Sequence, residues 1–313
     1  MRTNFTKIAF GLGLVAAGCV TFWATKKRKQ NCKPNRLAWS PGDLLETVVQ
    51  AHIEHLSLHF PEHRKKFVKL LGADPEAAQA EAVVFALLKI LRRNPEPADD
   101  PETGGVDFLC KPNGRAPFVV EVTKLGQDTI SRHSHIPKEQ LEGGGAFEMV
   151  TSAVLEKVRR KTPQLADYPY ARVLVVASSH HAAVTLFDAM CAEWLLTSEP
   201  NIRYVPGAPQ ESFRETVDLK KAIFFRLNEA DEIVPCRQSI SAVLLISFDD
   251  VKSQVLGILH PQSAHAFDIG NLEDVSFIRV SEWPIVRDEL KTEWVVANPE
   301  AKGFYHIAVK PLP

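Results

Sequence analysis

Beyond residue 40 the apolar positions first follow a helical period. In PGDLLETVVQAHIEHLSLH (41–59) they fall at 45, 48, 49, 52 and 56, counting His52 on that face, and this spacing predicts a helix that Pro61 ends. EHRKKFVKLLG predicts a second, short helix closing at Gly72. DPEAAQAEAVVFALLKILRRN (74–94) carries the strongest helical signature, with Asp74 as cap, Pro75 at the first position and Glu76 at the positive end. Its apolar stripe of Ala77, Val84, Phe85, Leu88 and Leu91 also contains Glu81, a carboxylate in apolar company.

The period then shortens to two. VDFLCKPNGRAPFVVEVTKL (106–125) joins two short apolar runs through Pro-Asn-Gly and reads as a β-hairpin. Val119, Glu121 and Thr123 share one face, while Phe118, Val120 and Val122 share the other. The second face is uniformly apolar and is assigned to the core, so Glu121 is expected on the opposite side, flanked by Asp107. The stretch 126–145 is polar and glycine-rich and reads as a mobile loop. A helix follows over AFEMVTSAVLEKVRRKTPQL, with apolar residues at 147, 150, 154 and 158, then a buried strand, ARVLVVASS, and a helix, HHAAVTLFDAMCAEWLL. Further strands are expected at 222–227, 239–247, 255–260 and 304–309. Helices and strands alternating in this way define an α/β fold.

The amino terminus has a different character. Residues 8–25 carry no charge over 18 positions and are followed by KKRK at 26–29, which predicts a membrane-spanning helix with the bulk of the chain cytoplasmic. AAGC at 16–19 offers an alternative, a lipoprotein acylated at Cys19. The expected organisation is an anchor with its basic flank (1–29), a linker (30–40) and a cytoplasmic α/β domain (41–313).

Composition narrows the chemistry. The chain is 45% hydrophobic and 24% charged, as an ordinary globular protein is. A net charge of −1 provides no global field toward nucleic acid or anionic lipid, so such contacts must be local. Five cysteines at 19, 32, 110, 191 and 236 form no CxxC pair and read as free thiols. Neither a GxxxxGK[ST] loop nor a GxSxG elbow occurs, which sets aside nucleotide hydrolysis and serine hydrolysis of those types. His52, His55, His59 and His63 lie on successive helical turns, but no acid or cysteine completes a metal site in the pattern. His52 is read as packed and the others as solvated.

Asp107 and Glu121, brought together by the hairpin, repel unless a cation or proton compensates, and Mg²⁺ is the usual ion at such acidic pairs. Glu81 is a candidate third ligand. The plain alternative is structural, with Asp107 capping a strand end and Glu121 paired to Arg115, Lys157 or Lys161.

A helix bearing Glu81, then DFL, a turn, VEVTKL, a helix with K…RKTPQL and a buried strand resemble the PD-(D/E)xK restriction-endonuclease-like superfamily over about residues 75–180. ISAVLL (240–245) and NPEA (298–301) also resemble uncharacterised bacterial proteins with such a domain. The resemblance implies a restriction-endonuclease-like mixed sheet flanked by helices, Mg²⁺ held by Asp107 and Glu121, and a lysine that polarises the attacking water. The implied activity is phosphodiester hydrolysis of DNA or RNA. A catalytically inactive member acting as a membrane-tethered binding or scaffold module is the alternative.

The chain departs from that pattern at Thr123, where the lysine is expected. Lys124 comes one residue late, on the other face of an unbroken strand, and a β-bulge would be needed to bring it back. Lys161, or Lys157 one turn before it, is the other candidate for that role. Gln164 and Tyr168 match the Q-x-x-x-Y spacing of some exonuclease branches, and the short 94–105 connection leaves little room for the usual first strand. Lys157, Arg159, Arg160 and Gln164 form the expected nucleic-acid contact, with KVRRK as a basic stripe.

Overall fold

The computed structural model describes residues 43–100, 104–138, 148–198, 200–203, 214–217, 219–248, 253–285 and 290–298. The anchor (8–25), Cys19, the linker (30–40) and the strand expected at 304–309 lie outside them. No helix among the described residues is long and apolar enough to cross a membrane.

The protein is α/β, with an eight-stranded mixed sheet flanked by helices. Three helices come first: α1 (Asp43–His59), α2 (Pro61–Ala73) and α3 (Pro75–Ile90). Asp74 caps α3 by accepting the Ala77 N–H at 3.2 Å, and Pro75 occupies the first turn, where its missing N–H costs nothing. Strands β1 (Pro95–Pro97), β2 (Phe108–Cys110) and β3 (Phe118–Lys124) form an antiparallel meander. The short connection after α3 therefore does hold a first strand, only three residues long. Its prolines are tolerated because β1 is the edge of the sheet.

Helix α4 (Gln127–Ser134) follows β3, where polar composition pointed to a loop. Asp128 in its first turn and Arg132 and His133 in its last complement the helix dipole, and Ile130 is its buried anchor. Helix α5 (Thr151–Lys161) and a 3₁₀ turn (Thr162–Leu165) lead to β4 (Ala171–Ser178), which runs parallel to β3. The helical stretch after β4 is two helices, α6 (Ala183–Leu186) and α7 (Ala189–Thr197). Asp188 separates them by accepting the Cys191 N–H at 2.9 Å as the cap of α7.

Two hairpins follow, β5 (Pro200–Arg203) with β6 (Arg214–Val217), and β7 (Phe225–Leu227) with β8 (Ile233–Pro235). The chain then re-enters the sheet through β9 (Ala242–Phe248), β10 (Ser253–Leu259), β11 (Ser276–Val280) and β12 (Thr292–Val295). The strand order is β1-β2-β3-β4-β9-β10-β11-β12, with β3, β4 and β9 mutually parallel at the centre.

Both faces of that centre are covered. Val120, Val173, Val175 and Leu244 face the cluster built with α1, α2 and α3. Val119, Leu174, Val176 and Leu245 face the cluster built with α5 and α7. Parallel strands require crossover connections that lay helices on the faces, so their sequences read as continuous apolar runs. Assigning only one face of β3 to the core is thereby corrected: Val119 and Thr123, on Glu121's side, are also buried. Among the described residues Cys110, Cys191 and Cys236 are free thiols.

Gly257 in β10 lies beside Phe277 in β11, and a Cβ there would stand 2.1 Å from Phe277 Cδ1. Phe277 is fully buried and has no room to retreat. Gly257→Ala is expected to lower the unfolding free energy by about 1–3 kcal/mol, measured by urea denaturation. An unchanged midpoint would contradict this packing.

Candidate active site

Glu121 occupies the middle of β3 and is 3% exposed. Its Oε1 accepts from Lys161 Nζ, on the last turn of α5, at 2.7 Å, whereas Oε2 is buried with no hydrogen-bond partner. Asp107 precedes β2, and its Oδ2 accepts the Val122 N–H at 2.6 Å. That bond spans the hairpin and fixes the carboxylate next to the residue following Glu121. The backbone around Asp107 is held as well. Ala98 N–H donates to the Asp107 carbonyl at 3.1 Å, and Val106 N–H donates to Tyr168 Oη at 3.1 Å.

Burial pushes the Asp107 carboxyl well above the ordinary carboxylate range, and the charges of Glu121 and Glu81 push it further. Burial also raises Glu121, with Lys161 opposing. Acids from α3 and β3 thus both act on Asp107, on the approach to β2.

Glu81 projects from α3 with its Oε1 3.6 Å from His52 Nε2. His52 is 1% exposed, with ring centroids 4.6 Å from Phe67 and 4.4 Å from Phe85. It is packed, as its place in the stripe suggested, but an acid does stand beside it. His63 is not simply solvated either: its Nε2 lies 2.9 Å from the Asp99 carbonyl oxygen. Lys66, also on α2, pairs with the Asp99 carboxylate. His63, Lys66, Glu81, Asp99 and Asp107 line a cavity of about 90 Å³, large enough to admit water.

The two candidate lysines separate. The β3–β4 register is unbroken from Phe118 to Lys124, so there is no bulge. Lys124 Nζ instead lies 2.6 Å from Asp74 Oδ1 and 3.7 Å from Glu76 Oε2, tying the end of β3 to the start of α3. Lys161 is the lysine at Glu121. Lys157, one turn earlier, is half-buried, and burial, with Arg160, Lys124 and Lys161 adding, lowers its ammonium pKa.

KVRRK is not one stripe. Lys161 pairs with Glu121, Lys157 is half-buried, Arg160 is exposed, and Arg159 lines a different cavity. Gln164 is exposed while Tyr168 turns inward to Val106, so the Q-x-x-x-Y pair diverges. Lys66 and Asp99 were not marked by the sequence, and His63 was read there as solvated. They lie on a short helix and in an acidic loop with no local signal, and only the long-range fold brings them to Asp107.

The donor set suits a hard divalent cation: three carboxylates, one with an orphaned buried oxygen, two with elevated pKa values. Among the described residues, no three His, Cys, Asp or Glu side chains already stand close enough to hold one. No protein-family model, curated protein or solved structure matches this chain.

Elevated carboxyl pKa values set the sign of a pH dependence. The native state favours the protonated forms, so the stability these groups contribute is present at acidic pH and lost as pH rises through their elevated values. Asp107→Asn retains a carbonyl oxygen for the Val122 N–H and removes the charge. Without added metal it is expected to be more stable than the wild type at pH 8, by about 1.4 kcal/mol for every pH unit of elevation, with the gap closing toward pH 4. Calorimetric melting at both pH values tests this, and a gap that is the same at both would contradict it.

Proposed function

We propose that the chain is a membrane-anchored, Mg²⁺-dependent phosphodiesterase acting on nucleic acid, with a restriction-endonuclease-like core over about residues 75–180. The observation that carries the reading is the convergence of Glu81, Asp107 and Glu121 with Lys161 in a layout of one helix, three strands, two helices and a strand. Glu81, Asp107 and Glu121 would hold the metal. A divalent ion bound there supplies a more acidic water and neutralises charge developing on the phosphodiester.

The protein's own groups do the remaining work. Val122 N–H and Tyr168 fix Asp107, so its carboxylate does not reorganise when a cation arrives. Lys161 opposes the burial that raises the Glu121 carboxyl and orients the attacking water, while Lys157 adds positive potential for the phosphate. The uncharged stretch 8–25 with its KKRK flank supports the anchor, and acylation at Cys19 is the other way of tethering the chain.

A catalytically inactive module of the same architecture, binding or scaffolding at the membrane, is the competing reading. It draws on the lack of three ready-made ligands among the described residues and on the closed Glu121–Lys161 pair.

Cleavage of plasmid and single-stranded DNA and of RNA by the full chain, with Mg²⁺ or Mn²⁺, is the test. EDTA is expected to abolish it, and Glu121→Gln or Asp107→Asn to lower it by about 10²-fold or more. Lys161→Met is expected to lower it while circular dichroism confirms the fold, and Lys124→Met to leave it nearly unchanged. Equal cleavage by wild type and Glu121→Gln would remove this site from the reaction. Absence of metal-dependent cleavage in the wild type would favour the inactive module.

A further inference from the structure

A second cavity, of about 440 Å³, lies away from the acids and is lined by Arg159 of α5, Phe225, Arg226 and Leu227 of β7, and Cys236 and Arg237 just after β8. Its volume falls within the range of small-molecule sites, roughly 300–1,000 Å³. Three of its six lining residues are arginines and none is acidic.

Arg237 is built into place. Its Nη1 donates to the Ile223 carbonyl at 2.5 Å and contacts Cys236 Sγ at 3.0 Å, and its backbone takes a left-handed φ of 58°. A non-glycine residue held in that conformation is strained, and the surrounding structure must over-determine it. Burial lowers the Arg237 pKa, Cys236 opposing, and the charges of Arg159 and Arg226 lower it further. Gathering guanidinium groups around one cavity is unfavourable in the empty protein and becomes favourable when an anion enters. Guanidinium geometry matches phosphate, which two or three planar forks can grip at once.

We infer that Arg159, Arg226 and Arg237 form a binding site for a small phosphate-bearing molecule, in the cavity between α5 and the β7–β8 hairpin. Leu227 supplies an apolar edge for whatever carries the phosphate. The phosphate belongs either to a free nucleotide-sized ligand or to a nucleic-acid backbone passing over α5. The volume of about 440 Å³ favours the former, and this site shares no lining residue with the acidic cavity.

Calorimetric titration of the full-length chain in detergent, at fixed ionic strength, distinguishes these outcomes. The probes are inorganic phosphate, adenosine 5′-monophosphate and an oligonucleotide without terminal phosphates. One-to-one binding of phosphate or the monophosphate is expected. Arg226→Gln, an exposed position that leaves the fold intact, should weaken it roughly tenfold or more. Arg237→Gln should do the same, with melting checked because that side chain also braces the backbone. Glu121→Gln should bind as the wild type does, which separates this site from the hydrolytic reading. Failure of both small probes to bind, binding by the oligonucleotide alone, or affinity unaffected by Arg226→Gln would each overturn the proposal.

Discussion

The buried carboxylate of Glu121 constrains this structure more than any other group. The sheet is covered on both faces, so a charge at the middle of β3 is almost entirely removed from water. An unpaired ionised carboxylate in such a place costs far more than a domain's net stability, and it must be neutralised, paired or bound. Lys161 supplies the partner at 2.7 Å. That requirement fixes where α5 ends relative to the sheet, because its last turn must place an ammonium over the fourth residue of β3. Asp107 adds a second carboxylate, and its Val122 bond offsets only part of the expense. Stability alone gives no reason to assemble three acids here, since apolar residues of similar volume would serve the fold as well or better. The assembly is a local conflict of the kind found at functional sites.

Much of this was legible in the sequence because it depends on period and parity. Alternation along 118–124 placed Val119, Glu121 and Thr123 together, and the register confirms it. The same parity removed Lys124 from Glu121's side, and the structure finds that lysine at Asp74. The cap at Asp74, the proline at the start of α3 and the buried run of β4 follow from local chemistry and appear as expected.

What was illegible depended on partners far along the chain. Covering the second face of β3 requires α5 and α7, whose contribution no pattern within 106–125 can reveal. His63 and Asp99 meet across 36 residues, and neither sits in a run that signals the other. Helix α4 was hidden because its composition is polar and a single buried residue, Ile130, docks it. Strands β11 and β12 interleave charged and apolar residues at the far side of the sheet, where partial exposure weakens the apolar signal. The split between α6 and α7 turns on one aspartate acting as cap in the middle of an otherwise continuous apolar pattern.

Helix α5 shows why a charge run must be resolved residue by residue. At about 100° per residue, positions 157 and 161 lie close together on the helix surface, while 159 lies nearly opposite. Lys161 accordingly stands over Glu121, where a compact ammonium can neutralise a carboxylate. Arg159 turns to the other cavity, where a permanently charged planar group suits an anion. The two chemistries need different cations, and the helix supplies each on its proper face. Arg160 stays exposed, so the division falls between Lys161 and Arg159, and Glu121's need for Lys161 sets the orientation of α5.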